Sequence, residues 1–185
     1  MILSTPPNSM QALQEQNSIL DAINIDIIKE IIDHNISSNF LNLRNMDITR
    51  IPLSLLHDEY YQTYWQNLKK LSCSKNQIKT LDVRSLSNLK KLECLENKIS
   101  SLKIQGLTNL KLLACHRNQL KNLDIQDLNS LERIYIEQNP MTTLRLNNEQ
   151  QERLQNYLPL NIRRVIQPLQ NEENDFAFRQ SKRPS

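Results

Sequence analysis

Residues 68–88 read LKKLSCSKNQIKTLDVRSLSN, and residues 89–109 read LKKLECLENKISSLKIQGLTN. Two more copies follow without a gap: LKLLACHRNQLKNLDIQDLNS from Leu110 and LERIYIEQNPMTTLRLNNEQQ from Leu131. The copies start at Leu68, Leu89, Leu110 and Leu131, a constant period of 21. Apolar residues recur at fixed offsets: Leu71, Leu92, Leu113 and Ile134; Cys73, Cys94, Cys115 and Ile136; Ile78, Ile99, Leu120 and Met141; Leu81, Leu102, Leu123 and Leu144. An asparagine column, Asn76, Asn97, Asn118 and Asn139, runs through all four. A repeat of this length is one supersecondary unit that cannot bury its apolar residues alone and does so by stacking on its neighbours.

A degenerate earlier copy, FLNLRNMDITRIPLSLL from Phe40, places Leu41, Leu43, Ile48 and Ile51 in the same columns, with Met46 in place of the asparagine. The pattern resembles the leucine-rich-repeat family, whose core motif is L-x-x-L-x-L-x-x-N/C-x-L. The resemblance implies an α/β solenoid: a horseshoe or arc with a parallel sheet on the concave face, closed by helical caps. Each copy then supplies a short strand, such as Lys70–Ser74, with alternate residues inward. The asparagine sits where the chain leaves the strand and can satisfy backbone groups that the turn leaves bare.

The organisation expected is a helical N-terminal cap over 1–37, five repeats over 38–147, a C-terminal cap over 148–166 and a disordered polar tail over 167–185. In the first cap, Asn8 or Ser9 is a candidate N-cap for a helical segment over 9–35. Leu13, Leu20, Ile23, Ile27 and Ile31 would share one face, with Ile28 and Ile32 beside them and Asn35 as C-cap. Asn147 or Asn148 should start a helix running to Tyr157, and Asn161–Ile166 could add a terminal strand. The first repeat is enlarged at 57–66. Its excess, HDEYYQTYWQ, carries Tyr60, Tyr61, Tyr64 and Trp65, read as packing on the convex side; a secondary partner contact is the alternative.

Composition narrows the function. One glycine in 185 residues argues against phosphate-cradling loops, and a net charge of +3 gives nucleic acid little support. The opening MILSTPPNSM lacks a cationic n-region, so no Sec-type signal is expected, and no apolar run reaches membrane-spanning length. Three cysteines at regular spacing do not form a secreted disulfide framework, which points to a reducing, cytosolic setting. Their register assigns Cys73, Cys94 and Cys115 to the core and not to a metal, with His116 on the opposite strand face from Cys115. His34, His57 and His116 are scattered, and HExxH, GxSxG and P-loop motifs are absent. The chain is therefore read as a non-enzyme without cofactors or metal.

The outward strand positions vary while the core columns do not, so packing does not dictate them. Leu95, Leu112, Ala114 and Tyr135 should form a small exposed apolar patch, rimmed by Lys91, Glu93, His116, Arg117 and Glu137, with Glu96 beside them. An apolar centre inside a charged rim is the anatomy of a protein interface. Lys69, Lys90 and Lys111 stack beside Lys70, Lys91 and Arg133; these are read as solvated, the alternative being an acidic partner surface.

The repeat wording also resembles the cytosol-delivered leucine-rich-repeat effectors of intracellular bacteria of the Legionella type. Glu172, Glu173 and Asp175 in the tail, before Phe176 and Phe178, look like the acidic blocks read by type IV secretion systems. That resemblance implies a secreted effector, a virulence role and a host protein as partner. The expected molecule is a monomer that binds neither nucleic acid nor membrane. A resident cytosolic adaptor or regulatory subunit is the competing reading.

Overall fold

The computed structural model describes residues 25–167. The expected helical positions before residue 25, and the tail beyond 167, lie outside them. The described chain begins in a helix over 25–34 (α1) and continues into strand β1 (Phe40–Asn42). Four further strands repeat its role: β2 (Lys70–Ser72), β4 (Lys91–Glu93), β6 (Leu112–Ala114) and β8 (Arg133–Tyr135). They form one five-stranded sheet in the order β1-β2-β4-β6-β8. Every pair is parallel and in register, so that Leu41, Leu71, Leu92, Leu113 and Ile134 are successive partners. Backbone bonding continues past each three-residue strand: Cys73 N–H donates to Glu93 at 2.8 Å and Lys75 N–H to Leu95 at 2.9 Å.

The other side of the four 21-residue coils carries a second set of short strands. β3 (Thr80–Asp82) pairs with β5 (Ser101–Lys103), while β7 (Asn122–Asp124), β9 (Thr143–Arg145) and β10 (Ile166–Gln167) form a separate parallel sheet. The return arm is not a helix. It is two consecutive tight turns, Leu86 N–H to Val83 O and Leu89 N–H to Leu86 O at 3.0 and 2.9 Å, repeated one and two coils later. Such an arm is short, which is why 21 residues complete a coil.

The core is one apolar column between these faces. The stacked leucines, Cys73, Cys94, Cys115 and Ile136 are all buried without exposure, and Leu43 extends the cysteine column upward. Two further columns, Val83, Ile104, Ile125 and Leu146, and Leu86, Leu107 and Leu128, are equally buried. Each fully buried leucine or isoleucine contributes about 1.5–3 kcal/mol, and no coil retains that alone.

The asparagines stitch coil to coil. Asn97 Nδ2 donates to Cys73 O in the preceding coil at 3.0 Å and to Cys94 O in its own at 3.1 Å, while its Oδ1 accepts from Ile78 N–H at 3.0 Å. Asn118 and Asn139 repeat the pattern. Asn76 reaches up to the first coil, donating to Leu43 O and accepting from Met46 N–H and Ile48 N–H. Each amide thus binds the coil before it. The first coil has no earlier repeat to bind, so Met46 can replace the asparagine there.

The ends differ from expectation in two places. In α1 it is Ile28 and Ile32 that are fully buried, with Ile27 and Ile31 only half-buried, so the buried face is rotated from the Ile27–Ile31 stripe. Asn35 does serve the helix end, its amide donating to Ile31 O at 3.0 Å. At the other end Asn147 and Gln150 form a reciprocal capping box that starts α4 (Asn148–Leu154). Gln150 and Arg153 donate to carbonyls of the last return arm, Ile125, Leu128, Asn129 and Leu131, in the place of another coil. Asn161–Ile166 is not a strand: Pro159 precedes a short helix α5 (Leu160–Arg163), and pairing with β9 begins at Ile166.

The enlarged first coil contains α2 (Leu53–Leu56), a 3-10 turn (Glu59–Tyr61) and α3 (Gln62–Asn67). Tyr61, Tyr64 and Trp65 are buried in the common core, and Trp65 Nε1 donates to Leu55 O at 2.8 Å. Tyr61 donates its hydroxyl to Asp33 of α1 at 3.0 Å, and Lys29 pairs with Asp58 at 3.5 Å. The aromatic insertion therefore fastens α1 to the first coil, and only Tyr60 points outward. No helix among the described residues is long and apolar enough to cross a membrane.

Candidate protein-binding face

The strand pleat sends Leu71-type residues inward and leaves two rows of side chains on the outer face of the five-stranded sheet. The first row is Phe40, Lys70, Lys91, Leu112 and Arg133; the second is Asn42, Ser72, Glu93, Ala114 and Tyr135. Ser74, Leu95, His116 and Glu137 follow just past the strand ends. The face therefore brings together eight of the nine residues expected at the interface.

Their exposure corrects one expectation. Leu95, Leu112 and Tyr135 are half-buried, not freely exposed, and Ala114 is only 5% exposed. Strands spaced about 4.8 Å apart crowd small side chains beneath longer neighbours. Ala114 is floor to the face and not a contact point. Tyr135 is held by a residue that sequence reasoning did not single out: Tyr157, after α4, meets it edge to face with centroids 5.9 Å apart. Nothing in the repeat frame signals that contact, because Tyr157 lies beyond the repeats.

Arg117 belongs elsewhere. Lys75, Glu96, Arg117 and Gln138 all adopt left-handed backbone, φ 55 to 59°, at the turn leaving the strand. They form a ladder along that turn edge: Lys75 to Glu96 at 3.9 Å, Arg117 to Glu96 at 3.4 Å, and Arg117 Nε donating to Gln138 at 2.7 Å. The 21-residue register made this ladder findable, since the four positions share a column.

Electrostatics divide the face. At its upstream margin Glu93 bridges Lys70 at 3.6 Å and Lys91 at 3.0 Å, and Lys70 also stands 4.2 Å above the Phe40 ring. Lys111 pairs with Glu132 at 2.7 Å, which holds that carboxyl below its ordinary value. On the far side of the coil the Arg84 guanidinium bonds Asp82 at 2.7 Å and, with Lys103 at 3.6 Å, lowers its carboxyl to about 2.

The three cysteines lie in the core and are unpaired. Burial raises the thiols of Cys73 and Cys115 to about 12 and raises that of Cys94 well above its ordinary value, with its two neighbouring cysteines adding to the shift. A thiol so shifted stays protonated at neutral pH, whereas the thiolate is the reactive form. Among the described residues no group of three or more His, Cys, Asp or Glu is arranged to hold a metal ion. The Nδ1 of His116 is buried without a hydrogen-bond partner among those residues.

Comparison with known families agrees with the geometry. Residues 66–107 match the family described as Leucine Rich repeats (2 copies), a stretch that covers β2 to β5. The search of curated proteins returned no match to the chain. The fold is a solenoid of stacked coils with parallel strands, consistent with leucine-rich repeats, and repeats of that kind generally mediate protein–protein interaction.

Proposed function

We propose that the protein is a non-catalytic binding module that captures a partner protein on its five-stranded face through Lys91, Glu93, Leu95, Leu112, His116, Tyr135 and Glu137, with Arg117 at the turn edge. The observation that carries this is the placement of half-buried apolar side chains, Leu95, Leu112 and Tyr135, among charged ones on a sheet face that, the Tyr157 contact aside, no other strand or helix of the described residues covers. Such a centre within a polar rim matches interface anatomy. The test is capture with Leu95→Glu set against Arg84→Glu on the far side of the coil. Loss of partner with the first alone supports this face; equal loss with both, or with neither, contradicts it.

The partner is read as a host protein, and this molecule as a monomeric effector delivered from a bacterium. Support comes from the cysteine-bearing repeat wording and from the acidic block Glu172, Glu173 and Asp175. A reporter fusion lacking residues 171–185 should lose delivery through a type IV system. If the intact fusion is not delivered, the resident adaptor reading takes its place.

A further inference from the structure

We propose that the upstream margin of the sheet face takes an acidic, extended protein segment carrying a bulky apolar side chain. This deepens the binding-face reading and rests on it. In the first outward row Lys91, Leu112 and Arg133 are successive cross-strand partners, so an aliphatic side chain lies between two cations, each one strand away. Immediately outside this row Lys69, Lys90 and Lys111 are stacked on consecutive coils and exposed. The carboxylates in ion-pair contact with this basic row are Glu93, shared by Lys70 and Lys91, and Glu132 on Lys111. Lys69, Lys90 and Arg133 have no such partner among the described residues. Like charges stacked at strand spacing repel and contribute nothing to folding, and the whole chain carries only +3. The positive charge is therefore gathered here, beside an apolar anchor, and a carboxylate-rich segment with an apolar residue complements both.

Nucleic acid complements it less well. Glu93 and Glu132 interrupt the row that a phosphate backbone would follow. Base stacking needs free aromatic faces. The two rings of the face are engaged: Phe40 by the Lys70 ammonium and Tyr135 by Tyr157.

The test uses the full chain and fluorescence anisotropy with short labelled probes: a peptide alternating glutamate with leucine, its glutamate–serine counterpart, and a single-stranded RNA. The glutamate–leucine peptide should bind tightest and weaken about tenfold at high salt. Lys69→Glu with Lys90→Glu, both exposed and outside the ion pairs of this margin, should also weaken it about tenfold while leaving the unfolding midpoint unchanged. Leu112→Ser should lower affinity for the leucine peptide and not for the serine one. No peptide binding, or tighter RNA binding lost in the same variant, overturns the proposal. So does a rise of about tenfold when Glu172, Glu173 and Asp175 are neutralised in the full chain, because the occupant is then its own tail. If a captured partner is lost with Leu95→Glu but unaffected by the lysine reversals, the acidic-segment inference fails while the binding-face reading stands.

Discussion

The amide of Asn97 donates to the carbonyl of Cys73, 24 residues earlier, at 3.0 Å. This bond joins two coils through a side chain, and its counterparts at Asn118 and Asn139 make each repeat's turn depend on the next repeat's asparagine. Removing such an amide leaves buried carbonyls and an N–H unpaired, at about 1–3 kcal/mol for each group. Asn97→Ala or Asn118→Ala should cost about 2–4 kcal/mol in urea unfolding. Met46→Asn, whose amide has no earlier repeat to reach, should change stability by less than about 0.5 kcal/mol.

The left-handed turn column gives a second prediction. Glu96 and Arg117 hold φ at 55 and 56° with side chains that make this costly. A β-branched residue there is worse, and glycine is free of the clash. Glu96→Val should destabilise by about 1–2 kcal/mol, while Glu96→Gly should be neutral or stabilising despite losing the contact with Arg117. Thermal unfolding of the two variants checks the order.

The cysteine column predicts inert thiols. With Cys73 and Cys115 raised to about 12, alkylation of the native protein should proceed only through global unfolding, and denaturant should release all three thiols together. The folded state keeps its thiol protons where the unfolded chain, at about 9, loses them. Stability from this source is full below pH 9 and falls as pH rises toward 12. Rapid labelling of native Cys94 at neutral pH contradicts the register.

Tyr135 couples the sheet to the C-terminal cap. Because its ring meets Tyr157, Tyr135→Ala should cost about 1 kcal/mol beyond the lost area, and the pair should be non-additive by about 0.5–1.5 kcal/mol in a double-mutant cycle. Leu95→Glu, with no such partner ring, is the cleaner probe of binding.

Much of this was legible in the sequence because stacking repeats the same environment every 21 residues. The buried leucines, the cysteine column and the asparagines all follow from that frame, and the structure selects Asn147 of the two asparagines that could start the terminal helix. The Val83 and Leu86 columns were present in it too, but they lie on the return arm, outside the motif's leucine positions. What the frame could not supply lies where it stops. The rotation of α1 onto Ile28 and Ile32 is set by the first coil and the aromatic insertion, not by helical period. The Tyr135–Tyr157 contact depends on how the cap folds back. The half-burial of Leu95 and Leu112 arises from crowding between adjacent strands, which a column of letters does not measure.

The most direct measurement is removal of one whole coil. Deleting residues 89–109 joins Asn88 to Leu110 and should give a folded protein with a cooperative, somewhat weaker unfolding transition, in which Asn118 now reaches the Cys73 carbonyl. Deleting residues 89–108 is one residue short and throws every later core column out of register, so it should abolish cooperative unfolding. If the two deletions behave alike, the 21-residue stacking frame, and the binding face built on it, is contradicted.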